Sequence, residues 1–224
     1  MAISSRFRLG TRGKPEESRA AILKAAMNEF AEHGIAGART DAIARAARVN
    51  KALLYYYFKD KDALYQAVLD HVFGGLRAQL VPILDADLPP REKLLQYMGA
   101  YFDYIAMNPR FPRVLQSEWT RNPGPHTTRM QRIAKEYFRP IYQKLAEVMQ
   151  QGMAAGEIRR VNPMDFVPSM VGIIVFYFSA APVIKTLMQV DPLSPERIAE
   201  RRAFVLDFIS AALFTPPAQG GTRS

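Results

Sequence analysis

The chain has 224 residues, is 49% hydrophobic and 23% charged, holds no cysteine, and carries a formal net charge of +9. These numbers exclude a wholly disordered chain, a disulfide scaffold, thiolate metal sites and a thiol nucleophile, and they leave room for one large domain or two small ones. The charge is uneven: residues 1–61 hold 12 Lys/Arg against 6 Asp/Glu, residues 62–224 hold 18 against 15, so the basic end suggests a polyanion as partner, either nucleic acid or an anionic membrane, over a merely solvated tail.

Taken in order, residues 1–15 form a basic arm with Arg6, Arg8, Arg12 and Lys14 and no apolar run of a secretory signal. It is expected either to enter a minor groove or to be a disordered tail with weak attraction to DNA. With no cysteine and no signal, the expected location is cytoplasmic. Pro15-Glu16-Glu17 starts a helix, with acids facing the positive end of its dipole. Ile22, Leu23, Ala26, Met27, Phe30 and Ala31 then recur at helical spacing until Gly34. Thr40 is a good N-cap for a short helix, Asp41 to Ala47, and the turn Arg48-Val49-Asn50 leads into a second one, Lys51 to Phe58. Asp60 caps a long helix predicted to end near Pro82.

Further helices are predicted over Arg91 to Met107, Arg113 to Arg121, Thr127 to Met153 with a kink at Pro140, Pro163 to Met188, and Pro195 to Phe214. The reading is all-α, about nine helices, with a tail at 216–224. Phe166 to Ile184 runs 19 residues without a charge, long enough for a bilayer. However, it contains Pro168, Gly172 and Pro182, no Lys/Arg cluster orients it, and a helix apolar all round also suits burial in protein. Burial is the expectation, and a membrane-associated helical protein the remote alternative.

Thr40 to Lys61 carries the functional signal. Ile43, Ala44, Ala47, Val49 and Leu54 supply an apolar joint between two short helices, the pattern of a helix-turn-helix over about 39–58. Lys51, Tyr55 and Tyr56, with Tyr57 as a further candidate, then face outward, where ammonium and phenol groups reach phosphates and side chains at the helix start reach base edges. Three consecutive tyrosines spread around most of a helix, so at least one must face solvent. Lys59 and Lys61 fall at the next helix start, which also favours an anion.

Residues 16–76 resemble the N-terminal domain of TetR-family transcriptional repressors. The resemblance rests on Ile22-Leu23, Ala25-Ala26, Phe30, Gly34, Thr40, Ile43-Ala44, Ala47, Val49, Lys51, Leu54-Tyr55-Tyr56-Tyr57-Phe58, Lys61 and Leu64. It implies that Thr40 caps the second helix and touches a phosphate. It places Asn50, Lys51, Ala52 and Leu53 nearest the bases, Tyr55 and Tyr56 on phosphate or thymine methyls, and Lys61 on the DNA backbone; Tyr57 and Phe58 pack or lie at the edge. Two positions depart from the pattern. Arg48 stands where glycine is common, at a cost of roughly 1 kcal/mol if the turn is left-handed, while adding a positive charge beside DNA. Ala52 and Leu53 replace the usual glycine and small polar residue, so Leu53 offers only apolar contact.

The resemblance makes residues 77–215 a ligand-binding and dimerisation domain, in which the last two helices pair with those of a second copy. The expected interface is Val171, Ile174, Val175, Phe178, Phe204, Phe208 and Ala212. Tyr97, Tyr101, Phe102, Trp119, Tyr137, Phe138 and Tyr177 are candidates to line an apolar pocket, with core packing as the alternative for each. The expected partners are a double-stranded operator, a second copy and a small, partly hydrophobic effector, with no membrane. No cofactor, metal or enzymatic activity is expected: His33, His71 and His126 lie far apart, and no nucleophile elbow, phosphate loop or dinucleotide fingerprint occurs. The alternative within DNA binding is a constitutive or partner-controlled regulator without an inducer.

Overall fold

In the computed structural model, residues 15–119 and 125–216 are described, with the side chains of Trp119 and residues 125–128 left aside. The basic arm, the tail from residue 217 and Trp119 as a pocket residue therefore lie outside what can be placed. Among the described residues the fold is all-α. Eleven α-helices and one π segment occur, where nine helices are expected from the sequence. The one β feature is an isolated antiparallel bridge, Ile158 to Phe214.

The helices are α1 (Pro15–Gly37), α2 (Thr40–Ala46), α3 (Lys51–Tyr57), α4 (Lys61–Asp85), α5 (Pro90–Met107), α6 (Phe111–Trp119), α7 (Pro125–Ile133), α8 (Arg139–Ala154), α9 (Pro163–Ser179), α10 (Ala181–Met188) and α11 (Pro195–Leu213). The extra elements have identifiable causes. The predicted helix Thr127 to Met153 is divided by a π segment, Ala134–Phe138, after which the Arg139 N–H donates to the Ala134 carbonyl five residues back. That longer step places Pro140 in the first turn of α8, where its missing donor leaves no hole. The predicted helix Pro163 to Met188 breaks at Ala180 and bends by 62°, with Pro182 in the first turn of α10. The uncharged stretch Phe166 to Ile184 is therefore not one straight span.

Conversely, α4 runs past Pro82 to Asp85. Pro82 and Ala78, whose carbonyl loses its helical donor, both lie on the solvent side, where that carbonyl is open to hydration. Of the described helices, α4 alone has by itself the length and apolarity a membrane crossing would need. Its Leu64, Tyr65, Val68, Leu69, Val72, Phe73, Leu76 and Leu80 are buried in protein.

The chain forms two units, Met1–Val72 with Arg113–Arg121, and Phe73–Pro112 with Asn122–Ser224. The first is built on Ile22, Leu23, Ala26, Phe30, Ile43, Ala44, Leu54, Phe58, Leu64 and Val68, all buried. Phe30 and Tyr65 meet edge to face with ring centres 4.8 Å apart. The Tyr65 hydroxyl donates to the buried Glu118 carboxylate of α6 at 2.5 Å. Gly34, at φ 64°, kinks α1 in a region that only glycine enters cheaply. In the second unit α5 is the central helix, with Leu94, Tyr97, Met98, Tyr101, Phe102 and Ile105 buried. Arg202 of α11 holds Asp103 of α5 through two hydrogen bonds, 2.7 and 2.9 Å. A Cβ on Gly99 would come within 2.7 Å of the Arg202 Nη2, so glycine is what admits the guanidinium.

Candidate nucleic-acid interface

The α2–turn–α3 segment is assembled by local rules. Ile43 and Leu54 are completely buried and Ala44 nearly so, which joins the two helices through small and branched side chains. Backbone bonds from Arg48 N–H to the Arg45 carbonyl and from Val49 N–H to the Ala44 carbonyl close α2. Arg48 itself sits at φ 56°, the left-handed conformation that its departure from glycine raised as a possibility. Asn50 caps α3, its Oδ1 accepting from the Leu53 N–H at 2.7 Å. Asp60 does the same for α4, accepting from the Ala63 N–H at 2.7 Å.

The solvent side of this unit carries Arg48, Asn50, Lys51, Ala52, Tyr55, Tyr56 and Lys59, all exposed, with Leu53 half-buried. Tyr56 is 80% exposed and Tyr55 40%, whereas Leu54 and Phe58 turn inward. Tyr57 is half-buried between its ring neighbours Tyr56 and Phe58.

Three residues have partners that the sequence did not indicate. Thr40 is the first residue of α2, not its cap; Arg39 holds the cap position with no side-chain bond, and its N–H is taken by Glu29 Oε1 at 2.9 Å. The Thr40 hydroxyl lies 3.2 Å from the Tyr55 hydroxyl, which ties α2 to α3. Lys61 is half-buried and its ammonium donates to the carbonyls of Ala36 and Ala38, both at 3.3 Å, so in this structure it closes the end of α1. Lys51 is paired with Asp41, Nζ to Oδ1 at 2.9 Å. The hydrogen bond from Lys51, then its charge, holds the Asp41 carboxyl below the usual carboxylate range, and Asp41 raises Lys51 by the same contact. Asp41 is not among the site residues expected from the sequence. The signal available was its standing as the one carboxylate between Glu32 and Asp60.

In the second unit the expected pocket residues fall into separate settings. Tyr97 and Tyr101 stack with ring centres 6.3 Å apart, and burial pushes both phenols upward. Phe102 packs on Phe178 at 5.4 Å. Tyr137 and Phe138, both half-buried, lie against Phe73, at 6.3 and 5.2 Å. Tyr177 is turned elsewhere, its hydroxyl donating to the Pro192 carbonyl at 2.7 Å and its ring under the Arg201 guanidinium. Tyr104, unnamed in the expected set, presses against Gly75, and burial pushes its phenol up to about 12.

The expected dimer residues divide as well. Ile174, Val175 and Phe178 are buried within the single chain, Val171 and Ala212 are half-buried, and Phe204 and Phe208 are exposed and stacked on each other. Phe176, which is not in the expected set, is 71% exposed on α9. A helix apolar on every side gives no periodic signal for which side is left outside.

Comparison with known proteins agrees with this architecture. Residues 22–68 match the family described as "Bacterial regulatory proteins, tetR family", and residues 90–209 match "Tetracyclin repressor-like, C-terminal domain". The HTH-type transcriptional repressor NicS of Pseudomonas putida is 27% identical over 194 residues, 86% of this chain and 90% of its own. The HTH-type transcriptional repressor SCO4008 of Streptomyces coelicolor is 41% identical over 101 residues, 45% of this chain and 49% of its own. The ketosteroid transcriptional regulator KstR2 of Mycobacterium tuberculosis shares the fold at TM-score 0.71 and 17% identity, over 93% of this chain and 98% of that one. These relatives are transcriptional regulators rather than enzymes, and the chain belongs to the TetR family of DNA-binding transcriptional regulators.

Proposed function

We propose that this protein is a ligand-responsive repressor that binds a palindromic operator as a homodimer and is released by a small, partly hydrophobic molecule. In this reading residues 16–76 bind DNA and residues 77–215 bind the effector and the second copy. The observation that carries it is the outward face of α3: Tyr55 and Tyr56 stand exposed beside Arg48, Lys51 and Lys59, on a core that Leu54 and Phe58 anchor from behind. Phenols and cations at the start of a recognition helix suit phosphates and base edges in a major groove. The name of NicS as a repressor supports repression over activation.

Dimerisation is assigned to Phe176, Phe204 and Phe208, at 71%, 53% and 52% exposure, with Val171 and Ala212 at the margin. Rings exposed to this degree on α9 and α11 leave apolar area that a second copy would cover. The effector is assigned to the second unit, whose aromatic residues Tyr97, Tyr101 and Phe102 on α5 and Tyr137 and Phe138 beside Phe73 are the candidates to make room for it. Release follows a population shift: an effector preferring a spread dimer by about 3 kcal/mol weakens operator binding by roughly a hundredfold.

The test is operator binding followed by fluorescence anisotropy as salt rises. If six to ten phosphates are neutralised, affinity falls about 10³–10⁵-fold between 50 and 200 mM. A flat response refutes the assignment of the α3 face. Light scattering of the double variant Phe176→Asp, Phe208→Asp tests the pairing face: monomers are expected, and unchanged dimers refute it.

A further inference from the structure

Lys51 opens α3, and its ammonium is held 2.9 Å from Asp41 in the first turn of α2. An acid there suits the positive end of the α2 dipole, as any first-turn carboxylate does, but its charge surroundings set Asp41 apart. Between Glu32 and Asp60 it is the one acidic side chain, set among Arg39, Arg45, Arg48, Lys51 and Lys59. A carboxylate on a surface that meets DNA repels phosphate, so on affinity alone any neutral residue would serve better. Nor does packing require it: the Asp41 and Lys51 side chains are 53% and 51% exposed. An ion pair this open to solvent is weak and readily exchanged for another anion.

We propose that Asp41 is a specificity-determining residue that holds Lys51 in reserve. The proposal rests on the reading of α3 as the recognition helix. On a duplex that does not admit α3, Lys51 stays with Asp41; the pair is electrically neutral and releases no counterion from the DNA. On the operator, α3 seats in the groove and a phosphate displaces the carboxylate. The Lys51 contact is thereby made conditional on fit, and binding to arbitrary sequence is suppressed. The direction in which each partner shifts the other's ionisation agrees, since both stay charged at neutral pH.

The experiment uses the full chain and a 30-base-pair duplex of arbitrary sequence, with affinity measured by anisotropy at 50 and 200 mM salt. Wild type, Asp41→Asn, Asp41→Glu, Lys51→Met and the Asp41→Asn, Lys51→Met double variant are compared. Freed Lys51 adds about one phosphate contact, so Asp41→Asn binds this duplex more tightly at low salt. Its affinity then falls about 3-fold further than that of wild type across this salt range, the slope steepening by about 0.9. Asp41→Glu keeps the pair and the wild-type slope. In the Lys51→Met background the Asp41→Asn change leaves the slope unaltered. A wild-type slope for Asp41→Asn overturns the proposal. Equal steepening with and without Lys51 also overturns it, because the effect is then simple loss of a negative charge. A wild type whose binding ignores salt overturns the underlying assignment of α3 together with it.

Discussion

If the α3 face meets DNA as proposed, Arg48 sets the demands of the fold against those of the DNA at one residue, and replacing it with glycine separates them. Its φ of 56° puts an L-residue where Cβ crowds the following carbonyl, a strain of roughly 1–2 kcal/mol. Glycine removes the strain but adds freedom to the unfolded chain worth about 0.5–1 kcal/mol. The Arg48 side chain is exposed and makes no hydrogen bond or ion pair among the described residues, so truncating it breaks neither. Arg48→Gly should therefore gain about 0.5 kcal/mol in urea unfolding, which is ~1–2 °C in a chain of this size. Arg48→Ala keeps the strain and should match wild type. Both variants lose one cation beside DNA, so both should show a salt slope of operator binding shallower by about 0.9. The decisive comparison is between the two variants. If Arg48→Ala is as stable as Arg48→Gly, the turn is not strained and the reasoning fails; if both keep the wild-type slope, Arg48 does not serve the DNA.

Lys61→Met should lower stability by about 1 kcal/mol, because the carbonyls of Ala36 and Ala38 lose a charged donor, while the salt slope of DNA binding stays as in wild type. A slope reduced by about 0.9 at unchanged stability would instead return Lys61 to the phosphate contact that the resemblance implies. Tyr65→Phe should cost about 1.5–3 kcal/mol in urea unfolding, since the Glu118 carboxylate, 5% exposed, loses its 2.5 Å donor; a loss below 0.5 kcal/mol would show that this bond contributes little to holding α6 against α4.

The first four helices were legible because their signals are local. Asn50 and Asp60 stand one residue before α3 and α4 and cap them through bonds three residues on. The left-handed turn was legible as a glycine position occupied by something else. Partners set by distance were not legible. Thr40 suits a cap by chemistry, but capping is decided by which residue leaves the helix, and its hydroxyl is taken by Tyr55, 15 residues along the chain. Lys61 has a side chain long enough to reach either a phosphate or the end of α1. Only the folded position of Ala36 and Ala38, 25 and 23 residues away, decides between them.

The contrast between α9 and α11 shows what makes a face legible. On α9 nearly every position from Val167 to Phe178 is apolar, so helical spacing alone selects Ile174, Val175 and Phe178 as readily for one side as for the other. The fold spends them on the interior, Phe178 meeting Phe102 of α5, and leaves Phe176 outside. On α11 a polar lock settles the rotation. Arg202 is fixed to Asp103 through the space left by Gly99, and Val205, Ile209 and Leu213 follow it inward at helical spacing. Once that side is pinned, Phe204 and Phe208 have nowhere to point but outward. The expected rings of α11 are therefore exposed and those of α9 are not, because one helix carries a half-exposed charge pair that orients it and the other carries only hydrophobicity, which has no direction of its own.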